Sequence, residues 1–334
     1  MSGAARHRIG PGGVEVTELS FGAAGLGNLY TPITDEDAAA AIDAAWDAGI
    51  RYFDTAPHYG IGLSERRLGE ALRARPRHTY ALSTKAGRLL EAVDRPVGDD
   101  LAHGFAVPAT HRRVWDFSAD GIRRSLEASL TRLGLDRVDI VYLHDPDDHA
   151  EQAFREGYPA LERLRSEGVV GAIGAGMNQT AMLTRFVRDT DVDAVLCAGR
   201  YTLLDQSALA ELLPAAQERG KAVVIGGVFN SGLLADPKPG ATYDYTTAPR
   251  ALVDRACHLK ALAERHGTTV RAAALAFPLA HPAVSTVLVG ARSPHEVRDA
   301  ARQFAAAVPA GFWEEARAEG LLPAGVPVPG EDPA

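Results

Sequence analysis

Four side chains in this sequence are of the types that move protons: a carboxylate, a phenol, an ammonium group and an imidazole. They belong to Asp54, Tyr59, Lys85 and His144, and each stands at or just beyond the end of a short apolar stretch. A lysine ammonium beside a phenol favours the phenolate and lowers the pKa of the tyrosine, and a carboxylate offsets the cost of burying the lysine. A phenol tuned in this way can donate a proton to a carbonyl oxygen or accept one from an alcohol.

Each of these residues also has a simple structural interpretation. Asp54 can cap a strand end, Lys85 can be solvated, and His144 can be a core histidine whose hydrogen bonds are satisfied. For any one residue taken alone, the structural interpretation is at least as good as a catalytic one. The proton-transfer hypothesis therefore depends on a fold that brings the four together, because titratable groups with perturbed pKa values cluster at functional sites.

The chain contains eight apolar stretches that alternate with amphipathic segments, and Asp54, Lys85 and His144 each lie near the end of one of them. The predicted strands cover residues 19–23, 51–55, 80–85, 138–144, 169–177, 193–201, 222–228 and 284–290. Strands that are apolar throughout are typical of a parallel sheet buried on both faces, and eight strand–helix units close into a (β/α)8 barrel, the TIM barrel. An open doubly wound sheet is the alternative, but residues 22–27 do not match the G-x-G-x-x-G turn expected after its first strand.

The barrel prediction places the four side chains together. Active sites of such barrels lie at the C-terminal ends of the strands. Asp54, Lys85 and His144 stand there on the second, third and fourth strands, and the second strand is followed by a loop with Tyr59. We expect a single domain over residues 1–334 with a β-hairpin over 6–18, long irregular loops over 87–116 and about 230–249, and a loose Pro-rich tail over 323–334.

The composition is that of an ordinary globular chain, 46% hydrophobic and 23% charged over 334 residues. A net charge of −8 without a basic block argues against nucleic acid or an anionic membrane surface as a partner. Cys197 and Cys257 lie in apolar segments, and we interpret both as small buried hydrophobic residues, with no disulfide and no metal site. Because we find no apolar signal segment and no run that approaches a membrane span, we expect a cytoplasmic protein.

The sequence around the four residues resembles that of the aldo-keto reductase superfamily. The similarity is carried by Tyr52-Phe-Asp-Thr-Ala-Pro-His-Tyr-Gly60, Ser64-Glu-Arg-Arg-Leu-Gly69, Ser83-Thr-Lys85 and Gly134-Leu-Asp-Arg-Val-Asp-Ile-Val-Tyr-Leu-His144, and it extends from about residue 8 to about residue 307. The resemblance implies an oxidoreductase that transfers hydride with a nicotinamide cofactor, NAD or NADP. It also implies that Tyr59 is the general acid and base, tuned by Lys85 and Asp54. In the same scheme, the carbonyl group is oriented by His144.

The resemblance further implies which residues bind the cofactor. Asn178 matches the position that binds the nicotinamide carboxamide. The family often has a glutamine on the sixth strand for the same contact, whereas the nearby residue here is Arg200, and Tyr201 is a candidate for lining the nicotinamide site. The loop that passes over the pyrophosphate offers Ser231 and Leu233 as candidate contacts.

The segment Gly290-Ala-Arg-Ser-Pro294 resembles the part of the family that holds the adenosine phosphate. A helix N-terminus capped by Ser293, with Arg292 beside it, suits a phosphate group. A plain strand-to-helix turn is the alternative, and both interpretations can hold together. Many NADP-preferring relatives carry a second basic residue where this chain has Glu296, and a carboxylate there repels a 2′-phosphate. The sequence therefore favours NAD over NADP.

Two other segments point to a branch of the superfamily. Leu143-His-Asp-Pro-Asp147 and Ile173-Gly-Ala-Gly-Met-Asn178 resemble the bacterial L-fucose and D-threo-aldose 1-dehydrogenases, with pyridoxal 4-dehydrogenase as a close relative. We therefore expect a small alcohol or carbonyl substrate, an aldose that is interconverted with its lactone, while pyridoxal oxidation and general aldehyde reduction are alternatives. Candidates for the substrate pocket are His58, Trp115 and Phe229, although each can also be simple loop packing.

Two functions of other classes stay open. One is a metal-dependent barrel hydrolase, for which the candidate metal ligands are His58, His144, Asp54 and Asp145. Such sites normally begin with His-x-His on the first strand, and residues 19–23 contain no histidine. The other is a non-catalytic protein that senses the cofactor on the same fold. All four positions of the proton-transfer set are occupied here, which favours an enzyme.

Overall fold

A computed structural model describes residues 5–244 and 246–331 of the chain. Its centre is a closed barrel of eight parallel strands, in which neighbours in the chain are neighbours in the sheet and the eighth strand pairs with the first. The barrel strands are Leu19–Gly22, Tyr52–Asp54, Ala81–Ala86, Ile140–His144, Ala172–Met177, Ala194–Ala198, Ala222–Gly226 and Val284–Gly290. The predicted (β/α)8 barrel is confirmed, and every predicted strand overlaps an observed one.

Helices follow the strands and form the outer layer. The α-helices are Asp35–Asp47, Leu63–Leu72, Ala119–Leu133, Ala150–Gln152, Tyr158–Ser166, Thr180–Asp189, Leu212–Glu218, Arg250–Arg265, Val270–Ala276, Pro294–Ala305 and Ala310–Ala318. Short 3₁₀ helices cover Ala23–Gly27, Arg77–Thr79, Leu101–His103, Asp147–His149, Ser207–Leu209 and Phe277–Ala280, and a π-helical turn covers Ala153–Gly157. Among the helices of the described residues, none is both long and apolar enough to cross a membrane.

The N-terminal hairpin closes one end of the barrel. Its strands, Arg6–Ile9 and Val14–Thr17, pair antiparallel as predicted. Ile9 and Val16 are fully buried and pack with residues of the barrel interior, among them Tyr52. This end is therefore closed by apolar side chains, and the opposite end, where the strands finish, forms the mouth.

The segment after the third barrel strand differs from the irregular loop that the sequence predicts. Arg88–Ala92 pairs antiparallel with His111–Trp115, and Asp99–Asp100 pairs with Phe105–Pro108. The Asp, Pro and Arg residues in these short strands obscure the alternation that normally indicates a strand. The ion pair of Arg113 with Asp100 joins the two ribbons, and that of Arg88 with Asp145 joins the first ribbon to the end of the fourth barrel strand. A local pattern cannot show either pair. The second long loop, after the seventh strand, contains a similar short ribbon of Thr242–Tyr243 with Thr246–Thr247.

The C-terminal segment is packed as far as the structure describes it. The sequence predicts a loose tail over 323–334, of which 332–334 lie outside the described residues. Within the described part, Val326 and Val328 are buried. Glu331 is bound by Arg317 of the last helix.

The two cysteines have different environments. Cys197 is buried in the sixth barrel strand, as predicted, whereas Cys257 is exposed on the helix Arg250–Arg265. The prediction is wrong for Cys257 because the inward face of this helix carries Val253 and Ala256, and the next position turns towards solvent.

Candidate active site

Lys85 lies at the centre of a buried cluster at the mouth of the barrel. Its Nζ donates to Asp54 Oδ2 at 2.6 Å, to the Thr55 carbonyl oxygen at 3.0 Å and to the Tyr59 hydroxyl at 3.2 Å. The side chains of Lys85 and Asp54 are only 2% and 4% exposed. The second and third strands, with the loop after the second, thus bring the carboxylate, the ammonium group and the phenol into direct contact.

The charge of Lys85 follows from these contacts. Burial by itself lowers the pKa of a lysine, but the Asp54 carboxylate and the Tyr59 oxygen outweigh burial and raise the pKa of Lys85 well above its ordinary value. Lys85 is therefore a cation at any working pH. A fixed cation in contact with the phenol oxygen favours the phenolate of Tyr59.

His144 completes the group at the end of the fourth strand. Its ring centroid lies 6.0 Å from that of Tyr59, and the two rings are nearly perpendicular, at 86°. Burial, followed by the cations of Arg88 and Lys85, holds the pKa of His144 well below its ordinary value, so the imidazole is neutral. Among the described residues, its Nδ1 has no hydrogen-bond partner. A neutral imidazole can serve a substrate oxygen as a hydrogen-bond donor.

A chain of hydroxyl groups below the cluster fixes the Asp54 carboxylate. Ser83 Oγ donates to Asp54 Oδ1 at 2.7 Å and lies 2.9 Å from the Tyr52 hydroxyl, which in turn lies 3.1 Å from the hydroxyl of Tyr142. Burial raises the pKa of both tyrosines, so both stay protonated. Asp54 therefore uses one oxygen for Lys85 and the other for this chain of hydroxyls.

These hydroxyl residues are absent from the predicted site, although the sequence holds a signal for them. Tyr52, Ser83 and Tyr142 each stand two positions before a predicted site residue on the same strand. Because side chains alternate between the two faces of a strand, residues two apart point to the same side. In a barrel they form the next layer of the interior.

A groove leads from the cluster across the mouth of the barrel. Its volume is about 510 Å³, and its lining extends from Asp54 and Tyr59 at one end to Arg292 and Glu296 at the other. This volume lies within the range of about 300–1,000 Å³ that is usual for small-molecule sites. The lining is rich in glycine: Gly22, Gly25, Gly199, Gly226, Gly227, Gly232 and Gly290. Glycines let a ligand approach the backbone closely.

Part of the predicted cofactor set lines this groove, namely Asn178, Ser231, Gly290, Arg292 and Glu296. Asn178 donates from Nδ2 to the Ala198 carbonyl oxygen at 3.0 Å, so its Oδ1 remains an acceptor. Ser231 has a left-handed backbone, with φ of 56°. Non-glycine residues adopt this conformation mostly where the surroundings enforce it, and such positions cluster at ligand sites.

Four other predicted cofactor residues lie outside the lining: Arg200, Tyr201, Leu233 and Ser293. The Arg200 guanidinium binds the Asp244 carboxylate through hydrogen bonds of 2.9 and 2.7 Å. Tyr201 is fully buried and packs on Phe277, with 5.0 Å between ring centroids, and Leu233 is fully buried in the main core. Arg200 thus joins the loop after the sixth strand to the loop after the seventh, and this charge pairing engages its guanidinium.

The helix Pro294–Ala305 begins at the far end of the groove. Ser293 caps this helix, accepting from the Glu296 N–H at 3.2 Å. The Glu296 carboxylate in turn accepts from the Arg292 N–H at 2.7 Å and from the Arg292 guanidinium at 3.1 Å. The helix N-terminus therefore already holds a negative charge.

The predicted substrate residues lie at different depths. Phe229 lines the groove. The His58 ring centroid lies 5.7 Å from that of His144, directly beside the cluster. Trp115 is 39% exposed on the outer ribbon and stacks on His149, with 6.2 Å between ring centroids. Of these predicted substrate residues, His58 is the one whose ring contacts a member of the proton-transfer cluster.

An ion pair that the sequence patterns do not reveal lies next to His144. Arg88 binds Asp145, and Asp145 Oδ2 lies 3.7 Å from His144 Nε2. The Arg88 guanidinium also lies 5.2 Å from the centroid of the Trp115 ring. An arginine in a short ribbon gives no local signal of its partner.

Within the described part of the chain, no three His, Cys, Asp or Glu side chains are grouped so as to hold a metal ion.

Comparison with known proteins extends these observations. The model of the Aldo/keto reductase family matches residues 18–318. D-threo-aldose 1-dehydrogenase from a Pseudomonas species is 47% identical over 316 residues, 93% of this chain and 96% of that protein. Pyridoxal 4-dehydrogenase from Microbacterium luteolum is 40% identical over 335 residues, 95% of this chain and 98% of that protein. Among solved structures, the holo form of aldo-keto reductase AKR11C1 from Bacillus halodurans matches with a TM-score of 0.74 at 27% identity, over 97% of this chain and 98% of that one.

Proposed function

The chain belongs to the aldo/keto reductase family, and we propose that it oxidises the anomeric carbon of an aldose to the lactone, with Tyr59 as the general base. The protein is an NAD(P)-dependent oxidoreductase. The observation that carries the proposal is the position of Lys85 Nζ, 2.6 Å from Asp54 Oδ2 and 3.2 Å from the Tyr59 hydroxyl, at one end of a long groove.

The proton-transfer step needs a base that is held ready beside the substrate oxygen. The Tyr59 phenolate accepts the proton of the anomeric hydroxyl, the Lys85 cation stabilises that phenolate, and Asp54 holds Lys85 in place. When bound, the nicotinamide ring supplies the acceptor for the hydride that leaves the same carbon. Positioned proton transfer of this kind contributes about 10²–10⁴-fold to a rate.

His144 has a different task from Tyr59. Because its imidazole is neutral, it can donate a hydrogen bond to the reacting oxygen without offering a second acid. This hydrogen bond orients the oxygen towards Tyr59. The two residues thus divide orientation and proton transfer between them.

The groove fits an extended nicotinamide dinucleotide. Its lining includes both Tyr59 and residues at the start of the helix Pro294–Ala305, which suits a ligand with a phosphate at a helix N-terminus. Asn178 would accept a hydrogen bond from the carboxamide through its Oδ1. The pyrophosphate would lie under the loop with Ser231, and the adenosine end would lie beside Arg292.

The charge at the far end of the groove supports NAD in preference to NADP. The Glu296 carboxylate sits at the helix N-terminus and is held there by Arg292. A 2′-phosphate at this end would meet that carboxylate, whereas a ribose hydroxyl could donate to it. The same pairing reduces the positive charge that Arg292 could offer to a phosphate.

The substrate proposal has two supports. The 47% identical relative is named for activity on D-threo-aldoses. The polar surroundings of the cluster, with His58, His144 and the Arg88–Asp145 pair, suit a substrate that carries several hydroxyl groups. Pyridoxal oxidation is the second candidate, because the 40% identical relative is named for it and because Phe105 packs 5.2 Å from the His58 ring and could contact an aromatic substrate.

A cofactor-coupled assay tests the proposal. The formation of reduced nicotinamide is followed by absorbance with L-fucose, other aldoses, pyridoxal and simple aldehydes, each with NAD and with NADP. We expect aldoses to be oxidised, with NAD preferred. Turnover restricted to apolar aromatic aldehydes would contradict the aldose proposal, and a preference for NADP would contradict the cofactor proposal.

The variant Tyr59→Phe tests the mechanism. We expect its turnover to fall by about 10²–10⁴-fold because the proton-transfer group is lost, while cofactor binding, measured by fluorescence titration, stays as in the wild type. Retained turnover would contradict the role of Tyr59. A wild type that binds the cofactor but turns over no substrate would instead support a cofactor-sensing protein.

A further inference from the structure

His58 is a half-buried histidine beside the proton-transfer cluster that the mechanism above does not use. Its ring centroid lies 5.7 Å from that of His144 and 6.1 Å from that of Tyr59. These two residues act on the reacting oxygen of the substrate. His58 is therefore placed to reach atoms one or two bonds away from that oxygen.

The tautomer of His58 is fixed by its contact with Arg113. The Arg113 Nε donates to His58 Nδ1 at 2.5 Å, and another guanidinium nitrogen donates to the His58 carbonyl oxygen at 3.0 Å. A guanidinium has donors only, so Nδ1 must be the acceptor and carries no proton. The proton of the neutral ring is therefore on Nε2.

Arg113 is itself held by a buried ion pair. Its two terminal nitrogens donate to the two carboxylate oxygens of Asp100 at 2.7 and 2.5 Å, and both side chains are almost fully buried. Asp100 also contacts His103 Nδ1 at 2.8 Å. Two-point pairing of this kind fixes orientation as well as distance. The two ribbons over residues 88–115 thus aim one guanidinium at one imidazole nitrogen.

The neutral charge state of His58 agrees with the tautomer that the Arg113 contact requires. Burial, followed by the cations of Arg88 and Arg113, lowers the pKa of His58 to about 2. The ring is neutral at every working pH. Within residues 5–244 and 246–331, the hydrogen bonds of His58 involve its Nδ1 and its carbonyl oxygen, and none involves Nε2. His58 therefore offers an N–H donor with no acceptor of its own.

We propose that His58 is a specificity-determining residue whose Nε2–H donates to a hydroxyl oxygen close to the reacting carbon of the substrate, with Arg113 and Asp100 as its positioning residues. The inference rests on the proposed function, because it needs a substrate with a hydroxyl group beside the carbon that is oxidised or reduced. A substrate that lacks this oxygen leaves the donor without a partner, so the site discriminates against it.

The test uses matched pairs of substrates that differ by one oxygen. One set is an aldose and its monodeoxy analogues in the oxidation assay; the other is lactaldehyde and propanal in the reduction assay. The quantity of interest is the ratio of kcat/KM between the hydroxylated and the deoxygenated member. A general loss of structure lowers both members equally, whereas loss of the hydrogen bond lowers only the hydroxylated member.

His58→Leu is expected to reduce this ratio by about tenfold for at least one pair, since a single neutral hydrogen bond is lost. His58→Gln is expected to restore much of it, because the amide offers an acceptor to Arg113 and a donor to the substrate. Arg112→Met is the control, since Arg112 is the exposed neighbour that pairs with Glu91. Its ratio should equal that of the wild type.

Arg113 is tested as a positioning residue. Its removal leaves Asp100 buried without a cation, so the variant is made as Arg113→Met with Asp100→Leu, and the ratio is expected to fall as in His58→Leu. If His58→Leu lowers kcat/KM equally for both members of every pair, the inference is overturned. Failure of the proposed function shows separately, as a wild type that oxidises no aldose, and the lactaldehyde pair then still decides the role of His58.

Discussion

The two ends of the groove hold the same kind of interaction in opposite surroundings. At the barrel end, Lys85 and Asp54 are 2.6 Å apart with side chains that are 2% and 4% exposed. At the far end, Arg292 and Glu296 are 3.1 Å apart with side chains that are 42% and 40% exposed. Water screens the second pair and not the first, so an exposed pair contributes about 0–1 kcal/mol to stability, whereas breaking a buried pair costs about 3–5 kcal/mol.

Because of this difference, substitutions at the buried pair should affect stability strongly, whereas substitutions at the exposed pair should affect it little. The buried pair sets the charge beside Tyr59, and removing one partner of it disturbs both folding and chemistry. The exposed pair sets the charge that meets the adenosine end of the cofactor, where a substitution alters preference with little effect on the fold. The two ends therefore predict a graded series of effects.

Lys85→Met should have the largest effect, because it removes the cation and leaves the Asp54 carboxylate buried without a counter-ion. We expect the free energy of unfolding in urea to fall by about 3–5 kcal/mol and turnover to fall by about 10²–10⁴-fold. The control is Lys85→Met combined with Asp54→Leu, in which no charge is left unpaired. This double variant should recover stability but no turnover, and a single variant as stable as the wild type would contradict the account of the buried pair.

Ser83→Ala should have the next largest effect, since Ser83 holds the second oxygen of Asp54. We expect a loss of about 1–3 kcal/mol of stability, because a buried carboxylate oxygen and the Tyr52 hydroxyl each lose a partner, together with a measurable fall in turnover. Ser20→Ala is the matched control, because Ser20 is equally buried and bonds to Thr286 at 2.7 Å between the first and the eighth strands, with no hydrogen bond to Asp54. Equal losses of turnover in both variants would show that Ser83 has no specific role at Asp54.

The lowered pKa values of His58 and His144 predict that the stability of the protein falls as the pH is lowered. His58 has a pKa of about 2 in the folded protein and one of about 6.5 in an unfolded chain. Between these values the unfolded chain binds a proton that the folded protein does not, so stability is complete above pH 6.5 and falls as the pH is lowered. We expect His58 alone to account for about 1 kcal/mol lost between pH 7.5 and 5.5, measured by urea unfolding.

His58→Gln should flatten that pH dependence, because the glutamine amide does not titrate. His144 contributes with the same sign, since its pKa is also lowered, so some dependence remains in the variant. The exposed His295→Gln serves as the control. A profile for His58→Gln that parallels the wild type over this range would show that His58 is not held neutral.

The sequence was sufficient to predict the barrel and the contact between Asp54, Tyr59 and Lys85. Both depend on information that is repeated along the chain: eight apolar strands, and polar residues at the same end of successive strands. The hydroxyl chain of Tyr52, Ser83 and Tyr142 follows from the same alternation, one layer further down.

The parts that the sequence did not predict depend on single contacts between distant residues. Arg113 reaches Asp100 and His58, and Arg200 reaches Asp244, from segments whose local patterns look irregular. A pattern indicates which face of an element is buried, but it does not indicate which charged residue another loop supplies. Arg200, which the sequence offers as a cofactor contact, pairs through its guanidinium with the Asp244 carboxylate, and no local pattern indicates that pairing.

Glu296→Gln should have the smallest effect on the fold and a selective effect on the cofactor. The amide keeps an acceptor for the Arg292 N–H, so we expect the free energy of unfolding to change by less than about 1 kcal/mol. Removing one of two like charges near a surface changes the interaction by about 1 kcal/mol, so kcat/KM for NADP relative to NAD should rise by about fivefold. The rise should shrink at 1 M salt, where the screening length falls to about 3 Å. Glu218→Gln, at an exposed helix end away from the groove, is the control. If Glu296→Gln leaves the NADP to NAD ratio unchanged, the exposed end does not set the preference, and the contrast between the two ends of the groove fails.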